Sequence, residues 1–176
     1  MMRRKLQLCV VTTVLAFLTL GQSQCPNEPP PPPFDATGTY AGEWWGNTEN
    51  EDQEIVACPL TITLQQDVTA NYPADHGVQG TVVVNYSCIE LPDWVDEIPD
   101  SEINVTGLLE NHGKLSLFSG GCGTGICAGV VLSGFGEDTD GDGMMDAYSG
   151  DWSFTILLAG VNPFGVTGGF DLATSE

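Results

Sequence analysis

The stretch AGVVLSGFGEDTDGDGMMDAYSGDWSFTI, residues 128–156, decides how this chain folds. Folded back on itself about residue 142, it opposes residues whose numbers add to 284, setting Leu132 against Trp152, Val130 against Phe154 and Ala128 against Ile156. All six are apolar and all fall on one face, because side chains along a strand alternate with a period of two. The tip between the arms is crowded with aspartate and glycine, which favour turns. The stretch therefore reads as a β-hairpin with one buried face and a charged tip.

The same texture extends outward from Phe34 to the end of the chain. Short runs rich in Val, Ile, Thr and aromatics alternate with Gly, Asn and Asp clusters, and no helical periodicity of useful length appears. The spacing predicts eight strands, at 38–47, 54–67, 78–89, 102–110, 114–120, 126–136, 147–158 and 164–173. Every link is short, so the expected fold is all-β, an eight-stranded antiparallel up-and-down barrel spanning 36–176. Closure removes the sheet edges that an open meander would leave unpaired. A two-sheet β-sandwich is the alternative.

A second hairpin is open to the same arithmetic. Centred on Pro73, it opposes residues whose numbers add to 146, which sets Leu60 against Tyr86, Ile62 against Val84 and Leu64 against Val82. That register also places Cys58 opposite Cys88. Directly opposed Cβ atoms stand about 4.5–5.5 Å apart, within reach of a bridge in a twisted pair, so a Cys58–Cys88 disulfide is expected. Cys122 and Cys127 flank a glycine-rich turn, and a second disulfide there would staple it. Zinc is the less fitting use of these four cysteines, for neither CxxC spacing nor nearby histidine ligands occur.

Near the start of the predicted domain stands Gly38-Thr39-Tyr40-Ala41-Gly42-Glu43-Trp44-Trp45-Gly46. Here the chain resembles the lipocalin or calycin barrels, whose first strand carries a Gly-x-Trp motif matched by Gly42-Glu43-Trp44. The likeness extends from 38 to 173 in strand count and order. It implies a barrel with Trp44 plugging one end and an interior able to hold a small apolar ligand. Lipocalins also pack an arginine from the last strand over that tryptophan, and no arginine follows Arg4 in this chain.

The hairpin tip carries the one motif with definite chemistry. Asp138-Thr139-Asp140-Gly141-Asp142-Gly143-Met144-Met145-Asp146 reads D-x-D-x-D-G-x-x-D. Calcium (Ca2+) takes roughly 6–8 oxygen ligands, and alternate carboxylates on a curled loop supply them. Asp138, Asp140 and Asp142 would give side-chain oxygens, Gly143 the sharp turn, Met144 its backbone carbonyl, and Asp146 a further carboxylate, directly or through water. The stretch is similar to the calcium loops of thrombospondin type 3 repeats and dockerins, which share this pattern with EF-hands. It departs from the EF-hand where Ser149 replaces the last, bidentate Glu, leaving Asp151, Glu137 or water to complete the shell. The expected role of Ca2+ is a structural lock on the tip at 136–148.

The first 23 residues have the form of a signal peptide. Met1 to Lys5 is a charged start, Leu6 to Leu20 an apolar run, and Gly21-Gln22-Ser23 a small-residue cleavage region. The apolar run of about 15 residues is short for a membrane span, and a retained anchor helix is the alternative. Residues 24–35 then form a Pro-rich tether, Pro29 to Pro33 favouring an extended polyproline spacer. Cys25, close behind the signal, resembles the lipidated cysteine of a bacterial lipoprotein, although Gln22 and Gln24 stand where a lipobox has an aliphatic and a small residue. Removing Cys9 with the signal and Cys25 as lipid carrier leaves an even set of cysteines. A free thiol or an intermolecular bridge at Cys25 remain the alternatives. Either way the expected location is extracytoplasmic, secreted or lipid-anchored at the cell envelope, and any membrane contact would be made through Cys25.

Charge narrows the partners. The chain carries Lys+Arg 4 against Asp+Glu 24, a formal net charge of −20. Three of the four cations are Arg3, Arg4 and Lys5, which leaves Lys114 alone beyond the signal. Nucleic acid is excluded as a partner, since nothing is present to neutralise phosphates. Enzyme signatures are lacking as well: His76 and His112 are isolated, and no HExxH, GxSxG or GxGxxG occurs. The acidic stretch from Glu90 to Glu102, with Trp94, reads as a solvated loop between Pro92 and Pro99. Asn85-Tyr86-Ser87 and Asn104-Val105-Thr106 would be glycosylation sequons in a eukaryotic source only. Three roles fit what remains: a calcium-stabilised barrel holding a small apolar ligand, a structural or adhesive envelope module, and, fitting least, a carboxylate hydrolase.

Overall fold

The computed structural model describes residues 32–49, 53–67, 75–95, 101–122, 126–158 and 163–175. The expected signal and most of the expected tether, with Cys25, lie outside the described residues, as do the side chains of His76 and Cys122. Eight strands run in order, β1 (Gly38–Thr48), β2 (Glu54–Gln66), β3 (Asp75–Val84), β4 (Glu102–Glu110), β5 (Lys114–Cys122), β6 (Ile126–Glu137), β7 (Ala147–Leu158) and β8 (Phe164–Thr174). Each pairs antiparallel with the next, and β1 pairs with β8 to close an up-and-down barrel. The sandwich alternative is thereby set aside. Among the described residues no helix is long and apolar enough to cross a membrane.

Alternation builds the interior. In β1 and β7, Tyr40, Trp44, Tyr148, Trp152, Phe154 and Ile156 are buried, while Glu43, Trp45, Ser149 and Asp151 face out. Trp44 and Trp152 meet inside the barrel with ring centroids 4.1 Å apart, and Tyr148 packs edge-on against Phe170 at 4.7 Å. The indole N–H groups of Trp44 and Trp152 are buried and make no hydrogen bond among the described residues. Leaving such a donor unpaired costs about 1–3 kcal/mol. Burying some 150–250 Å² of ring surface returns roughly 4–6 kcal/mol, so packing outweighs the loss.

The β6–β7 register is the expected one, with Leu132 opposite Trp152, Val130 opposite Phe154 and Ala128 opposite Ile156. The β2–β3 register differs from expectation by two residues: Leu60 faces Val84, Ile62 faces Val82 and Leu64 faces Gly80. β3 also starts and stops earlier than predicted, and beyond Val84 the chain turns through a short 3-10 segment, Tyr86–Cys88. Asn85 caps that segment, its side chain accepting from the Ser87 N–H at 3.0 Å. The Cys58–Cys88 disulfide is present, with its Cα atoms 5.9 Å apart. It is made from the turn and not from a ladder pair. At this same place β2 bulges: Trp44 opposes Cys58 while Gly46 opposes Ile55, so Val56 and Ala57 face one residue, Trp45, and both point outward. Cys127 is disulfide-bonded, and Cys122 stands opposite it in the β5–β6 ladder.

The hairpin order fixes which loops share an end. The β6–β7 tip lies with the start of β1, the β4–β5 turn and the end of β8, whereas the disulfide turn lies at the other end. Packing begins before β1. Phe34 and Ala36 are buried, and the Ala36 N–H donates to Gln66 Oε1 at 2.8 Å. Gln66 in turn donates its backbone N–H to Thr37 Oγ1 at 3.1 Å, so this buried amide ties the incoming chain to the end of β2. Residues 34–36 thus plug the barrel at the acidic-tip end.

Candidate metal-binding loop

Residues 138–146 link β6 to β7, and the ladder beneath them is continuous up to Glu137 opposite Ala147. The loop is organised by its own carboxylates. Asp138 accepts the Gly141 N–H at 2.7 Å through Oδ1 and the Gly143 N–H at 3.0 Å through Oδ2. Asp140 accepts from the Asp142 N–H at 3.0 Å, and Asp142 from the Met144 N–H at 2.8 Å. The bonds of Asp140 and Asp142 are Asx turns, in which an aspartate folds the chain over its own oxygens. Gly141 and Gly143 have φ of 80° and 87°, a left-handed conformation that glycine adopts without steric cost. The alternation of Asp and Gly in the sequence therefore produces this curl directly.

Asp146 closes the ring from the other side. Its Oδ2 accepts the Thr139 hydroxyl at 2.6 Å, the Thr139 N–H at 2.7 Å and the Asp140 N–H at 3.3 Å. These donors, the Thr139 hydroxyl foremost, hold its carboxyl below the usual carboxylate range. Asp138, Asp140 and Asp146 each bring an oxygen within 4.8 Å of the others, a group able to hold a metal ion. Asp142 lies outside that trio, its oxygen engaged with the Met144 N–H. Glu137 adjoins the loop, but Asp151 stands four residues along β7 from Ala147, about 13 Å away at strand rise, too far to share an ion.

The loop is also bound to the plug. Asp35 and Met144 form a parallel bridge: the Asp35 N–H donates to the Gly143 carbonyl at 2.8 Å, and the Met145 N–H donates to the Asp35 carbonyl at 2.9 Å. That pattern leaves the Met144 carbonyl unpaired among the described residues. Met145 is fully buried beside Phe34, both meeting over Gly136. The loop backbone is further fixed where the Asp146 N–H donates to the Glu137 carbonyl and the Thr174 N–H to the Asp146 carbonyl, both at 2.8 Å. Thr139, Asp35 and Phe34 were not singled out by the motif. Phe34, an apolar side chain directly after five prolines, was the available signal.

Tyr40 lies beneath this end, buried, its hydroxyl donating to the Ala36 carbonyl at 3.1 Å. Burial, and then the negative charges of Asp35 and Asp146, push its pKa up to about 12. Elsewhere, His112 is exposed and lies 3.4 Å from Glu110. The acidic stretch after Glu90 is described only as far as Val95, where Trp94 packs partly against the core. Asp96, Glu97 and Asp100 lie outside the described residues. Compared with protein-family models, with curated proteins and with solved structures, the chain matches none.

Proposed function

We propose that this protein is an exported, calcium-stabilised β-barrel module of the cell envelope, carried on a Pro-rich tether and serving a structural or adhesive, non-catalytic role. The observation that carries the metal assignment is the convergence of Asp138, Asp140 and Asp146 within 4.8 Å on a loop pre-curled by its glycines. Hard carboxylate oxygens with no histidine or cysteine among them suit calcium over transition metals. Bound there, the ion would supply the charge balance that three converging carboxylates lack. The chain's own residues do the rest: Asx turns hold the oxygens, and the Asp35 bridge passes the loop's order to the plug over Tyr40. The export and lipid-anchor parts of the reading rest on the signal-like start and on Cys25. The apolar-ligand role has less support, because Tyr40, Trp44, Tyr148, Trp152, Phe154 and Phe170, which would line its cavity, are buried within one continuous core cluster.

The test is a thermal melt of the protein in about 10 mM calcium and in EDTA, without reductant. An extracellular-type affinity of about 10⁻⁴–10⁻³ M predicts stabilisation of roughly 1.4–2.7 kcal/mol at that concentration, a rise of some 5 °C or more. Asp140→Ala should abolish the rise. An unchanged midpoint would sink the calcium reading.

A further inference from the structure

The strand registers build a groove on the outer wall, away from the acidic loop. Across β6, β7, β8 and β1, one outward row reads Ser133, Asp151, Gly169, Trp45, each directly opposed to the next. The adjoining row reads Val131, Ser153, Thr167, Asn47. Both rows line a single open groove. Its end wall is Trp45, a residue 45% exposed. A Cβ on Gly169 would lie 2.7 Å from Trp45 Cζ2, so the indole rests on the glycine and any side chain there would dislodge it. Asp151 and Thr167 are exposed, and neither they nor Ser153 and Asn47 spend their side-chain oxygens on another described residue.

We propose that this groove binds a neutral polysaccharide chain. A pyranose presents a C–H face that packs on an aromatic ring, and hydroxyls at its edge that donate to a carboxylate and exchange hydrogen bonds with hydroxyls and amides. Trp45 supplies the ring, Asp151 the strong acceptor, and Ser153, Thr167 and Asn47 the neutral polar edge. An anionic chain is disfavoured, since Lys114 is the one cation among the described residues and stands opposite Phe135, outside the groove lining. A purely apolar partner would strand Asp151 without solvent. A cationic peptide would meet one carboxylate among neutral groups, a poor match for several charges. The groove does not depend on the metal loop, so the two readings fail separately.

The experiment is calorimetric titration of the full chain with cellohexaose, mannohexaose, xylohexaose, laminarihexaose and maltohexaose, alongside polygalacturonate and decalysine. At least one neutral hexasaccharide should bind with Kd below about 1 mM, and polygalacturonate should not. Trp45→Ala and Asp151→Asn should each weaken that binding by roughly tenfold or more with the fold retained, and Asp151→Asn, exposed and without a partner among the described residues, with unchanged melting. Glu43→Gln, outside the lining, should leave it unchanged. No binding of any neutral hexasaccharide at about 10 mM would overturn the proposal, as would binding indifferent to both variants or binding of decalysine alone.

Discussion

The two ends of the barrel are closed by different physics. At one end a covalent bond joins Cys58 on β2 to Cys88 in the 3-10 turn. At the other, an acidic loop is curled by Asx turns and bridged through Asp35 to a buried plug of Phe34 and Met145. The covalent closure works by restricting the unfolded chain and is indifferent to ions. The acidic closure sets many short hydrogen bonds against the mutual repulsion of its carboxylates, so its strength depends on the surrounding solution. One closure is covalent and the other electrostatic, and each should be breakable without touching its counterpart.

The largest effect should come from the covalent end. The Cys58–Cys88 bridge spans a sequence separation of 30. Loop-closure entropy then predicts a loss of about 3–4 kcal/mol in the Cys58→Ser/Cys88→Ser double variant, read by denaturant unfolding. The rise in melting temperature produced by calcium should be the same in this variant as in the parent, because distant sites add. A calcium response that vanished with the disulfide would show that the two ends are coupled.

A smaller effect is expected at the acidic end from Gly136→Ala. The added methyl group would collide with Met145 Sδ and lie 2.6 Å from Phe34 Cζ, so the plug must shift. Overpacking of this kind costs roughly 1–3 kcal/mol. Because Asp35 follows Phe34 and is bonded to Gly143 and Met145, the displaced plug should also reduce the calcium response. Melts with and without calcium measure both. A full calcium response in a destabilised Gly136→Ala protein would separate the loop from the plug.

These two regions also differ in how far the sequence reveals them. The β6–β7 register was legible because apolar pairs flank a loop whose Asp-Gly spacing dictates its own curl, which fixes the centre of the hairpin at Asp142. At β2–β3 the alternation of Leu60, Ile62 and Leu64 against Val82 and Val84 fits two registers equally, since a slip of two residues leaves every side chain on its original face. Only the turn could have distinguished them, and Pro73 is not the point about which the pairing is symmetric. The cysteine pairing survived that slip because the 3-10 turn returns Cys88 to Cys58. The aspartates of the trio were legible in the Asp-Gly spacing, but the bridge to Asp35 was not, for it joins residues 109 positions apart with no pattern linking them. The groove around Trp45 was hidden for a related reason. It exists only once three strand pairs are aligned, and Gly169 carries no side chain to announce its part.

The smallest expected effect is a titration, and it asks whether the acidic end acts as one electrostatic unit. Tyr40 is held protonated up to about pH 12 by burial and by Asp35 and Asp146, against about 10 for a free phenol. Its folded pKa is raised, so the stability it contributes is fully present below pH 10 and is lost as pH climbs from 10 toward 12. Tyr148, raised by burial and donating to the Leu115 carbonyl at 3.0 Å, acts in the same direction. The phenolate absorbance contributed by Tyr40, read as the difference between the parent and Tyr40→Phe, should therefore stay low in this window while the barrel is folded and rise as it opens. Tyr40→Phe removes this titration and should flatten the decline in stability between pH 10 and 12, at the cost of the bond to Ala36. A cation on the loop would offset the Asp146 field, so calcium should lower the folded-state pKa of Tyr40 modestly while burial keeps it above 10. If calcium stabilised the barrel yet left the Tyr40 titration where it was, the ion would be held too far from Asp146 to be a ligand of that carboxylate. The shared site of Asp138, Asp140 and Asp146 would then have to be redrawn.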